Sequence, residues 1–138
     1  MKKKFLAKVT ILGATICMLG SLAAKAAVVT PLYSFTADVK THKANTVIGA
    51  QYRASSNTGH PWCVELKKTT DKKNKKTVFW VETPAGLNLC EDKVAVAGEG
   101  VFRQTFSKRI GNSYIRLVAE DDDYWCDTYH IEGAWAEE

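Results

Sequence analysis

No acidic residue occurs in positions 1 to 26, where Lys2, Lys3, Lys4, Lys8 and Lys25 carry all of the charge. An apolar run from Val9 to Ala24 follows the first lysines, and Ala24-Lys25-Ala26 closes it as a small-x-small site, so the segment has the order of a secretory signal cut after Ala26. The run is interrupted by Thr10, Gly13, Thr15, Gly20 and Ser21 and falls short of the ~20 apolar residues that span a bilayer, which argues against stable membrane anchoring. Cys17 follows Ile16 where lipid attachment would want a small residue, so it reads as an apolar residue of the signal.

Other absences narrow the classes. No stretch sustains the i, i+3, i+4, i+7 stripe of a packed helix, which excludes helical bundles and βαβ repeats. There is no internal repeat and no composition break, so residues 27 to 138 are expected to be one domain. The formal net charge of +4 invites a nucleic-acid partner, but removing the five signal lysines takes the basic residues from 19 to 14 against 15 acidic ones, a net charge of −1. What remains is a basic first half and an acidic second half, halves that interleave and neutralise in a folded domain, and no nucleic-acid surface is expected.

What is present is short runs of period two, rich in Val, Thr, Ile and aromatics, separated by Gly, Asn, Asp and Pro. Seven or eight strands are predicted: Tyr33 to Val39, Thr46 to Arg53, Trp62 to Thr69, Val78 to Glu82, Lys93 to Ala97, Val101 to Lys108, Tyr114 to Glu120 and Asp127 to Trp135. The expected fold is all-β, a small antiparallel β-sandwich. In the second strand Ile48, Ala50 and Tyr52 alternate with Val47, Gly49 and Gln51, and in the third Trp62, Val64 and Leu66 oppose Cys63, Glu65 and Lys67. The third and fourth strands read as a hairpin with a lysine-rich tip, and Ile110-Gly111-Asn112-Ser113 reads as a second hairpin turn. Most of the aromatics are expected in the core, with Trp125 the exception beside the acidic loop.

Cys63, Cys90 and Cys126 remain after the signal, an odd number in an oxidising compartment. If the strands run up and down, Cys63 and Cys90 share one end and Cys126 lies at the other, so Cys63 with Cys90 is the favoured disulfide and Cys63 with Cys126 its rival. The leftover thiol leaves a monomer or a disulfide-linked dimer open.

Four constellations could carry chemistry. His60, Cys63, Cys90 and Cys126 have a zinc-type donor set but no CxxC pair. Cys126, Asp127 and His130 have the types of a thiol nucleophile, an orienter and a base, but four residues of strand separate Cys126 from His130 by about 13 Å. Asp121, Asp122 and Asp123, with Glu120 and Asp127, offer oxygens to calcium without the EF-hand spacing. Lys67, Lys68, Lys72, Lys73, Lys75 and Lys76 crowd one tip, a candidate contact for an anionic cell-wall polymer or a solubilising loop. No cofactor is expected.

Tyr52-Arg53 through Pro61-Trp62, Thr77-Val78-Phe79-Trp80, Leu117 through Tyr124 and Ile131 through Glu138 resemble short exported proteins of Gram-positive bacteria, the domain of unknown function family 2712. The resemblance covers most of the chain after the signal. It departs at Cys63, Cys90 and Cys126, where polar residues are usual, and at Asp121 to Asp123, where asparagines are. It implies a secreted β-rich module without assigned activity and supplies no catalytic residues. The combined expectation is a secreted, non-enzymatic interaction module that acts on an extracellular protein or cell-envelope component, a bacteriocin-like agent being one form of it. A secreted hydrolase or metal-binding protein is the alternative.

Overall fold

A computed structural model describes residues 32–71, 75–124 and 127–138. The N-terminal segment expected to be a signal, with Lys72, Lys73, Trp125 and Cys126, therefore lies outside the described residues. Eight strands form: β1 Tyr33–Val39, β2 Thr46–Arg53, β3 Trp62–Thr69, β4 Lys76–Glu82, β5 Lys93–Val96, β6 Val101–Gln104, β7 Ser113–Asp121 and β8 Tyr129–Glu137. They make two four-stranded antiparallel sheets, ordered β1-β8-β3-β6 and β2-β7-β4-β5.

The pairings are nested. β4 pairs with β5, β3 with β6, β2 with β7 and β1 with β8. A long ribbon folded back at the β4–β5 connection and then rolled gives that set, and its closure adds the β3–β8 and β4–β7 ladders. This is a jelly roll. Every connection except β4 to β5 crosses from one sheet to the other, so β3 and β4 are not the hairpin the sequence suggests, and Ile110 to Ser113 joins β6 in one sheet to β7 in the other. A lysine-rich or Gly-Asn segment signals a reversal of direction; it does not say whether the returning strand pairs or crosses.

Between the sheets lie Phe35, Val39, Trp62, Val64, Leu66, Phe79, Val81, Ile115, Leu117, Ile131 and Trp135. The Phe35 and Phe79 rings meet across the layers with centroids 6.3 Å apart. Gly133 has no room for a side chain: a Cβ there would come within 2.3 Å of the Glu65 carbonyl oxygen and 2.5 Å of the Phe35 ring, so the flanking strands β3 and β1 of its own sheet close over this glycine. In β2 a register shift between Val47 and Gly49 turns the inward set to Gly49, Gln51 and Arg53, which leaves Ala50 and Tyr52 outside. The bulge is the physical reason, since one inserted residue exchanges the two faces of everything beyond it.

The same parity settles the cysteines. Cys63 and Cys90 are both free thiols, and the expected bridge between them does not form. They share one end of the sandwich, as strand direction requires, but Cys63 faces outward and its thiol points to the Ala136 carbonyl at 3.7 Å. Cys90 lies in the core, where its sulfur accepts from the Val81 amide at 3.1 Å beside the indole of Trp62. Trp62 and Cys63 are consecutive residues of one strand and so project to opposite faces.

Burial pushes the Cys63 and Cys90 thiols up to about 11 and the Tyr129 phenol up to about 12. Each folded group holds its proton more tightly than the unfolded chain, whose thiols titrate near 9 and phenols near 10. Their contribution to stability is complete below those values and is lost as pH rises through the folded ones. The urea midpoint is therefore expected to be flat near pH 8 and to fall as pH rises from about 9 to about 12. A midpoint that stays level to pH 11 would contradict the burial of these groups.

Candidate functional site

Three connections gather at the end of the jelly roll where β2 finishes and β7 begins, and Arg53 organises them. Its side chain is fully buried, pairs with Glu137 of β8, and lies 3.8 Å above the centre of the Phe106 ring. The guanidinium also donates to the carbonyls of Asn57 (2.5 Å) and His60 (3.5 Å), while Nε donates to Ile110 (3.2 Å). Loops 54–61 and 105–112 are thus fastened to one side chain. The Phe106 amide donates to the Thr58 carbonyl and the Ser107 amide to the Leu89 carbonyl, which ties in the third connection. Beside Arg53, Gln51 replaces a strand: its amide donates to the Trp135 carbonyl and accepts from the Glu137 amide.

On this base sits an open cleft of about 330 Å³ lined by Ser56, Asn57, Thr58 and Arg109. Gly111 packs against the backbone of the loop that carries Ser56, because a Cβ there would fall 2.8 Å from the Cβ of Ser56. The Asn57 carboxamide accepts from the Gly59 amide at 2.9 Å, and the Ser55 hydroxyl accepts from the Asn57 amide, so the loop is shaped by its own short turns. Outward from the cleft, Tyr52 and Tyr114 are cross-strand neighbours in an edge-to-face pair with centroids 5.4 Å apart. They are 52% and 59% exposed, the opposite of what a core aromatic shows. Tyr52 precedes Ser56 by four residues and Tyr114 follows Arg109 by five, so the aromatic pair and the cleft belong to the same end of the sandwich.

Sequence reasoning placed the aromatics mainly in the core, and Trp62, Trp80, Trp135, Phe35, Phe79, Phe106 and Tyr129 are there. The exposed ones are Tyr33, Tyr52, Tyr114 and Tyr124. The signal for them was residue type, since a phenol tolerates water at one end and an apolar neighbour at the other. Arg109 and the Ser56 to Thr58 segment had no such signal, because only the topology brings the two loops together.

The other candidates are dispersed. Lys75 is nearly buried and donates to Asp121 at 2.7 Å, with Asp71 at 3.7 Å; Lys68 pairs with Glu132 and Lys67 with Glu65. The lysine tip and the aspartate loop do meet at one end, and they meet as an internal ion pair. Calcium at Asp121, Asp122 and Asp123 is accordingly not supported: Lys75 already supplies the cation for Asp121, and Asp122 and Asp123 are exposed. Among the described residues no group of His, Cys, Asp and Glu is arranged to hold a metal ion. His60 is exposed, Cys63 faces outward and Cys90 inward, which separates the zinc-type set. His130 takes Asp38 of the neighbouring strand β1 as its acid, at 2.8 Å.

Comparison with protein-family models, with curated proteins and with solved structures returns no match.

Proposed function

We propose that this chain is an exported, non-catalytic module of the cell envelope that binds a glycan across the Tyr52 and Tyr114 pair. The observation that carries the reading is a half-exposed aromatic pair at the same end of the jelly roll as an open polar cleft. A pyranose ring has one face of C–H groups, which packs on an aromatic ring, and a girdle of hydroxyls, which needs donors and acceptors close by. Tyr52 and Tyr114 offer the first, and Ser56, Asn57 and Thr58 offer the second. The setting is pre-formed, because Arg53 has already fixed both loops before a ligand arrives. Jelly rolls include lectin domains, an analogy at the level of fold that agrees with the reading.

Export and a non-catalytic role are supported by the N-terminal segment and by the resemblance to family 2712. Cell-envelope polysaccharide is the partner such a chain meets first, and retention there would serve either a structural role or delivery of a bacteriocin-like agent to a competing cell. Titration calorimetry with chitotetraose is expected to show binding by the secreted chain. Tyr52→Ala and Tyr114→Ala, both surface changes, are each expected to weaken it about tenfold. Affinity unchanged in both variants would contradict this placement.

A further inference from the structure

We infer that the bound glycan carries an acidic substituent, and that Arg109 reads it. The inference rests on the glycan reading above and sharpens its ligand. The chain has four arginines. Arg53 pairs with Glu137, Arg103 with Glu138 and Arg116 with Glu82. Arg109 is exposed, lines the cleft, and is the one arginine without a carboxylate partner among the described residues. Around it the lining is uncharged: the Ser56 and Thr58 hydroxyls and the Asn57 amide.

A planar guanidinium presents two parallel N–H donors that match a carboxylate, and an unpaired one at the edge of a cleft is oriented for an incoming acid. The rest of the site limits how much charge it can take. One arginine among neutral groups suits a single anionic group on a sugar. A polyphosphate chain would want several cations in a row, and the lysine-rich segment that could provide them lies at the opposite end of the sandwich, where Lys75 is spent on Asp121. The ligand class is therefore a glycan with isolated carboxylates, one per stretch of ring that the site spans.

Two tetrasaccharides separate this inference from the reading beneath it. Chitotetraose is neutral; the counterpart alternates N-acetylglucosamine with N-acetylmuramic acid and differs by its lactyl carboxylates. The native secreted chain is expected to prefer the acidic tetrasaccharide about tenfold at low salt, the preference shrinking as salt rises. Arg109→Gln is expected to abolish the preference, so that the two tetrasaccharides bind alike, and Arg109→Lys to restore part of it. No preference in the native chain, or a preference that survives Arg109→Gln, overturns the role of Arg109 while chitotetraose binding still stands. Failure of both sugars to bind overturns the glycan reading and this inference together.

Discussion

Replacing Arg53 with methionine is expected to lower the unfolding free energy by about 3 to 5 kcal/mol, the cost of leaving a buried charge without its partner. The partly buried Glu137 carboxylate would lose its cation, and the carbonyls of Asn57, His60 and Ile110 would lose their donors. Two loops depend on those bonds, so loops 54–61 and 105–112 are expected to exchange their amide protons far faster. Glu137→Met should cost a similar amount for the mirror-image reason. The double variant should recover much of the loss. Burial pulls the Arg53 guanidinium down against the pull of Glu137, and burial raises the Glu137 carboxyl against the pull of Arg53. Each ion is thus desolvated by more than its partner returns, and the pair sets the geometry of the loops more than it adds net stability. Urea unfolding of the three variants gives the coupling energy directly; a double variant as unstable as the sum of the singles would contradict this.

Lys75→Met is expected to be comparably costly at neutral pH. Asp121 is fully buried; its Oδ1 accepts from Lys75 at 2.7 Å and from the Asp123 amide at 2.8 Å, while Oδ2 has no partner. Without the ammonium, an ionised carboxylate would be left in the interior with one amide donor, at a cost of about 3 to 5 kcal/mol. The loss should shrink as pH falls toward the carboxylate range, because a lone buried Asp121 can take a proton and become neutral. In the native chain burial pulls Lys75 down, but the hydrogen bond and charge of Asp121 raise it above its ordinary value. Its contribution is therefore complete below about 10.5 and is lost only when pH rises past the folded value. Urea midpoints of both chains at pH 3.5 and pH 7 test this, and a difference that does not narrow in acid would count against a charged Asp121.

The strands were legible because each is a short period-two run between turn residues, and five of the eight begin where the alternation begins, with β7 starting one residue earlier. β4 and β8 differ by two residues at the start, and the β6 ladder ends at Gln104, before the run of alternation does. Sheet membership was not legible. Whether β3 and β4 pair or cross depends on contacts between strands far apart in the chain, such as β3 with β6 and β8. Facing was legible where the strand is regular, as for Ile115, Leu117 and Ala119, and failed where a bulge intervenes, as at Ile48 in β2. The cysteine pairing failed on the same point in reverse: the end of the sandwich followed from strand direction, and the outward face of Cys63 followed from alternation, which the end-tracking argument did not use. The site was the least legible part. Tyr52 is an ordinary strand residue in the sequence, and Arg109 an ordinary loop cation, until the nested pairing puts the β2–β3 and β6–β7 connections side by side.

The most direct measurement is a titration of the isotope-labelled chain with chitotetraose, followed by nuclear magnetic resonance. Shifts confined to Tyr52, Tyr114 and the Ser56 to Thr58 segment, with the lysine tip and aspartate loop unmoved, are the expected result. Saturable shifts on another face, or none at all, would contradict a glycan site at the Arg53 end of the jelly roll.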